Sequence, residues 1–223
     1  MVSLRHDDVD QVHATWLITR SFDSGAINKI LNHPDVYPLV SGNLAGPLDA
    51  AALIEDHRNV LLMADGGGIL FCQDEPGIYE VHSNFLPAHR GKYAIDVSKQ
   101  AYRWMFLNTD CMVLQTRIPS FNRPARMAAR QVGFAPLFKR EKAWATPHGL
   151  FDLSYYSLPY ERWVISADDL EEAGQSYHDR LDEEFARHGR KPHEHPDDLA
   201  HDRYTGICAE TVYAGQPEKA IIL

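Results

Sequence analysis

Between Gly77 and Phe134 the spacing of apolar positions switches repeatedly, and each switch marks an element. Ile78 to Leu86 reads as a long strand. A turn, Pro87-Ala88-His89-Arg90-Gly91-Lys92, follows. Ala94, Val97, Ala101, Trp104 and Met105 then recur at helical spacing and share one face. The apolar run Cys111 to Thr116 predicts a second strand. Pro119-Ser120-Phe121-Asn122 leads a second helix, with Asn122 as its cap and Pro124 in its first turn, and Gly133-Phe134 ends it.

Upstream, Val2 to Arg5 predicts a short strand, and Asp7-Asp8 can cap a helix with Val12, Trp16, Leu17 and Phe22 on its apolar face. Ala26 to Leu31 starts another helix, interrupted by Pro34 and Pro38, and Ser41 to Asp49 is loop. Asn59 to Met63 and Ile69 to Cys72 pair across Asp65-Gly66-Gly67-Gly68, and Asp74 to Gly77 is a second turn. Downstream, Leu137 to Ala145 and Phe151 to Leu158 flank a Pro147-His148-Gly149 turn. Two hairpins leading into a strand–helix–strand unit predict an α/β (α+β) fold: a mixed, mostly antiparallel central sheet flanked by helices.

Beyond residue 159 the character changes. Ser166 can cap an acidic helix from about Ala167 to His188, with Leu170, Tyr177, Leu181 and Phe185 on one stripe. A polar linker, Gly189 to Pro196, precedes a further helix from about Asp198 to Ala214, and the chain ends on Ala220-Ile221-Ile222-Leu223. The expected organisation is a domain over 1–159 and an acidic helical extension over 160–223. The apolar stripe of that extension must bury on the domain or on a partner.

The 223 residues are 44% hydrophobic, a globular composition, and carry a net charge of −9 from 22 basic and 31 acidic side chains. That balance argues against broad nucleic-acid binding. Cys72, Cys111 and Cys208 have no CxxC spacing, which fits a reducing compartment. The first residues have no secretory h-region, and no apolar run reaches the ~18 residues of a membrane span. The expected location is therefore the cytoplasm. His193-x-His195 has no cysteine partner and there is no HExxH, so no metal site is expected.

Two features carry chemistry. Arg90, Gly91 and Lys92 stand between a strand and a helix, where free backbone N–H groups and the positive helix end make an anion site. Glu80 and His82 alternate along the preceding strand and so face the same way, and either could take a proton from an ammonium group. Arg123, Arg126 and Arg130 form a basic stripe on the second helix.

The order of these elements resembles the GNAT superfamily of acyl-CoA N-acyltransferases, over roughly residues 1 to 158. In that family a turn of pattern Arg/Gln-x-x-Gly-x-Gly/Ala holds the coenzyme A pyrophosphate. Here it aligns with Arg90-Gly91-Lys92-Tyr93-Ala94-Ile95, with bulky Tyr93 and Ile95 at positions normally small. The family's Asn-x-x-Ala…Gly-Phe helix matches Asn122, Ala125, Gly133 and Phe134. The resemblance implies acetyl-CoA binding through Leu86, Arg90, Gly91, Lys92, Tyr93, Ala94, Asn122 and Arg126. It also implies acetyl transfer to a primary amine, of a small molecule or peptide, with Glu80 or His82 as base. The family's tyrosine acid would fall at Ala129 and is missing, which leaves Tyr155 and Tyr156 as displaced candidates. The domain together with the tail also resembles phage-encoded members. The alternative is thus an inactive GNAT-fold binding or virion-associated protein, in host cytoplasm or virion, with 160–223 contacting a second copy or a virion protein.

Overall fold

The computed structural model describes residues 17–166. Its strands are β1 (Thr19–Ser21), β2 (Val60–Ala64), β3 (Gly67–Glu75), β4 (Ile78–Phe85), β5 (Val113–Pro119), β6 (Ala135–Thr146) and β7 (Gly149–Pro159). They form one seven-stranded sheet in the order β1-β2-β3-β4-β5-β7-β6. Every neighbouring pair is antiparallel except β4–β5. The helices are α1 (Ser24–Leu31), α2 (Tyr37–Val40), α3 (Ala51–Glu55), α4 (Lys92–Asn108), α5 (Arg123–Gln131) and α6 (Tyr160–Ser166). This is the mixed, mostly antiparallel sheet flanked by helices that the sequence pattern predicts.

The period-two alternation of the strands sends side chains to two separate cores. Leu61 and Leu70 join Ile27, Leu31 and Ile54 on the face covered by α1 and α3. Leu62, Ile69, Phe71, Val81 and Leu114 join Val97, Ala101, Met105 and Phe106 of α4 on the other. Each of the larger side chains among them (Val, Leu, Ile, Phe or Met) contributes about 1.5–3 kcal/mol when removed from water. Tyr160 and Trp163 of α6 pack against Phe106, edge-on and tilted respectively, with ring centroids 5.5 and 5.1 Å away. The packed unit therefore runs through Trp163, four residues beyond the expected junction at 159; residues 167–223 of the predicted extension lie outside the described residues.

Other boundaries shift for physical reasons. The stretch expected to end the first helix holds β1 instead, paired with β2. Phe22 is 71% exposed, so it has no place on a buried helical face. The predicted Val2–Arg5 strand and most of that helix lie outside the described residues. Pro38 does not interrupt a helix; it sits in the first turn of α2, where its missing N–H costs nothing. The hairpin turn is confined to Asp65-Gly66, since Gly67 already pairs with Ala64. A Cβ on Gly67 would come within 2.1 Å of the Phe85 ring, so close packing against β4 demands glycine there. Helix α3 and the extension of β5 from Thr116 to Pro119 are not anticipated.

Candidate functional site

Strands β4 and β5 pair over only Ile78–Glu80 and Val113–Gln115, although both continue further. Thr116 Oγ1 donates to Val81 O (3.1 Å) where they part. Past that point the β5-facing edge of β4 has no strand partner, and a cavity of about 700 Å3 opens between the strands. One side is walled by α4 and α5, through Gly91, Ala94, Ile95, Asn122, Ala125 and Ala128. The opposite side is walled by Val36, Leu39 and Val40 and by Trp144 of β6.

The turn into α4 lies at one end of this cavity. Gly91 is its N-cap, with φ 72° and ψ −136°, a conformation open essentially to glycine alone. No side chain caps the helix, so its first-turn N–H groups are left to meet another acceptor. Arg90 lines the cavity but also acts as a staple: its Nε donates to Phe85 O (3.0 Å) and its Nη2 to Asp35 O (2.8 Å). Lys92 points to solvent, 88% exposed, and pairs with Asp96 one turn on. Tyr93 packs edge-on against His89, centroids 5.7 Å apart, and is not part of the cavity wall. The bulk at that position is thus directed away from the groove, whereas Ile95 lines it. Leu86 also lies off the cavity, its N–H donating to Gly66 O (2.8 Å).

On α5, Asn122 caps the helix by accepting from Ala125 N (3.2 Å) and also lines the cavity. Arg123 lines it as well, Arg130 is exposed, and Arg126 lies outside the wall, with its Nε buried and without a hydrogen-bond partner. Ala129, at the position of the missing tyrosine, is buried in the cavity wall. Tyr155 and Tyr156 are both buried and neither lines the cavity. Tyr102 of α4 does line it; its hydroxyl bonds Ser83 and Ser98, and burial holds the phenol above its ordinary range, in the protonated form.

The alternation along β4 holds as predicted: Tyr79 and Val81 enter the α4 core, so Glu80 and His82 face the α1 side. The two differ in surroundings. His82 lines the cavity, with Asn84 two residues further on the same face. Glu80 does not line it; the guanidinium of Arg117 holds both of its carboxylate oxygens. Arg117, Asn84, Ser83 and Tyr102 escaped the sequence reading. Asn84 continues the 80/82/84 alternation and could have been found by extending it. Arg117 needed the true length of β5.

Among the described residues, no helix is long and apolar enough to cross a membrane, and no cluster of three or more potential ligands could hold a metal ion.

No family model and no curated protein matches the chain. Its fold does match solved structures. A spermidine N-acetyltransferase from Vibrio cholerae, in complex with CoA and spermine, superimposes with TM-score 0.56 at 13% identity, covering 66% of this chain and 98% of that one. A GNAT-family acetyltransferase from Bacillus anthracis gives TM-score 0.52 at 18% identity, covering 65% and 94%. A probable GNAT-family acetyltransferase from Chromobacterium violaceum gives 0.53 at 19%, covering 66% and 90%. The chain has the GNAT acetyltransferase fold.

Proposed function

We propose that the chain is a GNAT-superfamily N-acetyltransferase that moves an acetyl group from acetyl-CoA to a primary amine. The observation that carries this reading is the parting of β4 from β5 beside the uncapped N-terminus of α4. A gap of this kind presents unpaired strand backbone to a ligand's amide groups, and the helix end presents N–H groups to its phosphates. The fit is supported by the Gly91 cap, where a Cβ would meet nothing within 4 Å. The pyrophosphate would rest on the N–H groups of residues 91–94, with Arg90 alongside, and Asn122 and Arg123 would border the coenzyme on the α5 side.

Bound there, acetyl-CoA supplies an activated thioester: the amine nitrogen forms the C–N bond, the C–S bond breaks, and the products are an amide, the coenzyme thiol and one proton. The protein's part is to orient and to move protons. The arriving ammonium must lose a proton before it can attack. His82, in the cavity wall on the α1 side, is placed to accept it, and an imidazole suits that task near neutral pH. Glu80 is proposed to act through Arg117, holding the guanidinium against the strand, rather than as the base itself.

The test is turnover of acetyl-CoA against an amine panel. His82→Ala should lower turnover by roughly 10²–10⁴-fold and leave coenzyme affinity nearly unchanged. Glu80→Gln should lose less. Equal activity of His82→Ala and wild type across pH 6 to 9 would remove His82 from the mechanism. The alanine at 129 favours a second reading, a GNAT-fold binding protein without turnover. Tight coenzyme binding with no acetylation of any amine would select it.

A further inference from the structure

The walls of the cavity point to the kind of amine it takes, on the reading that it is an acyltransferase site. On the α1 side, where an acceptor would approach His82, the wall is built from Val36, Leu39, Val40 and Trp144, with the Asn84 carboxamide and the buried, unpartnered Trp144 Nε1 as uncharged polar groups. Asn84 is only 5% exposed, so its carboxamide belongs to the cavity rather than to the surface. The charged side chains of the wall are all basic: Arg90, Arg117 and Arg123. Among the described residues, no aspartate or glutamate lines it. Glu80, on the same face of β4 as His82, is committed on both oxygens to Arg117.

A polyamine brings two or more ammonium groups. One can give its proton to the base and react. The others stay charged, and here they would lie against aliphatic side chains or beside arginines, with no carboxylate among the described lining residues to replace lost water. The loop after α2 closes against β6, where a Cβ on Gly42 would stand 3.2 Å from Ala145 O and 3.6 Å from the Trp144 ring, so the loop that follows Leu39 and Val40 packs on Trp144. We infer that the acceptor is a monoamine on an apolar or aromatic body, and not a polyamine. The single ammonium would reach His82, the apolar body would fill the space between Val36, Leu39, Val40 and Trp144, and Asn84 would meet a polar substituent.

The experiment uses the full chain and two probe amines, 2-phenylethylamine and spermidine. Coenzyme A binding is first measured by calorimetry. The kcat/KM for acetylation of each amine is then compared in wild type and in Leu39→Glu, which adds a carboxylate to the apolar wall. Wild type is expected to prefer 2-phenylethylamine by at least about tenfold, and Leu39→Glu to shrink that ratio by about tenfold in favour of spermidine. Preference of wild type for spermidine, or acetylation of neither amine by protein that binds the coenzyme, overturns the inference and leaves the coenzyme site standing. Failure to bind coenzyme A overturns the acyltransferase reading and this inference with it. If Leu39→Glu is unfolded by circular dichroism, Val40→Glu takes its place in the same comparison; if both are unfolded, the wild-type ratio decides alone.

Discussion

Both carboxylate oxygens of Glu80 are held by Arg117, Oε1 by Nε at 2.5 Å and Oε2 by Nη2 at 2.7 Å. The two side chains are 19% and 18% exposed, so the pair is largely removed from water. It ties β4 to β5 at the point where their backbones stop pairing. Removing one partner leaves an uncompensated charge in that place. Glu80→Met or Arg117→Met alone should each cost about 3 kcal/mol, whereas the two together should cost less than the sum. Urea denaturation of the four proteins checks this. Strict additivity would mean that the pair contributes nothing to joining the strands.

Gly91 separates backbone strain from steric fill. A Cβ there meets no atom within 4 Å, yet φ of 72° with ψ of −136° is hostile to any other residue. Gly91→Ala should lower stability by about 1–3 kcal/mol and weaken coenzyme binding, because relief of the strain turns the first N–H groups of α4 away. Melting curves with and without coenzyme A report both effects.

The rings of α6 belong to the main core. Trp163 is 8% exposed and Tyr160 is fully buried, both against Phe106. Trp163→Ala should cost about 3–5 kcal/mol. A chain cut after Pro159 loses both rings and should fail to fold, while one cut after Ser166 keeps them and should melt cooperatively. Thermal unfolding followed by circular dichroism distinguishes the two.

Asp49 gives a pH-dependent contribution with a definite sign. The Ala51 N–H, and then the Asn28 amide, hold its carboxyl below the usual range. A depressed folded-state pKa means stability that is present above the ordinary carboxylate range and is lost as pH falls through the folded value. Asp49→Ala should therefore melt below wild type at pH 7, and the gap should shrink on acidification. A gap that widens toward low pH would contradict the assignment.

The strand–helix–strand order was legible because both periods are strong there: β4 alternates cleanly, and α4 buries Val97, Ala101 and Met105 at helical spacing. Asn122 was legible as a cap because Asn followed by Pro at the first turn has one local meaning. The parting of β4 from β5 was not, since the residues past Glu80 look as strand-like as those before it. The direction of Tyr93 was equally hidden, because its partner His89 lies in the turn and the outcome depends on how that turn packs against Gly66. The wall formed by Val36, Leu39 and Val40 is long-range: two prolines suggested interruption, and only the tertiary fold lays that segment over the cavity.

Titration of acetyl-CoA into the full chain by calorimetry tests the central claim most directly. The account predicts binding at a single site, weakened in Gly91→Ala and weakened again as salt rises, because the phosphate contacts are ionic. No heat at millimolar acetyl-CoA, or binding that Gly91→Ala leaves untouched, would contradict it.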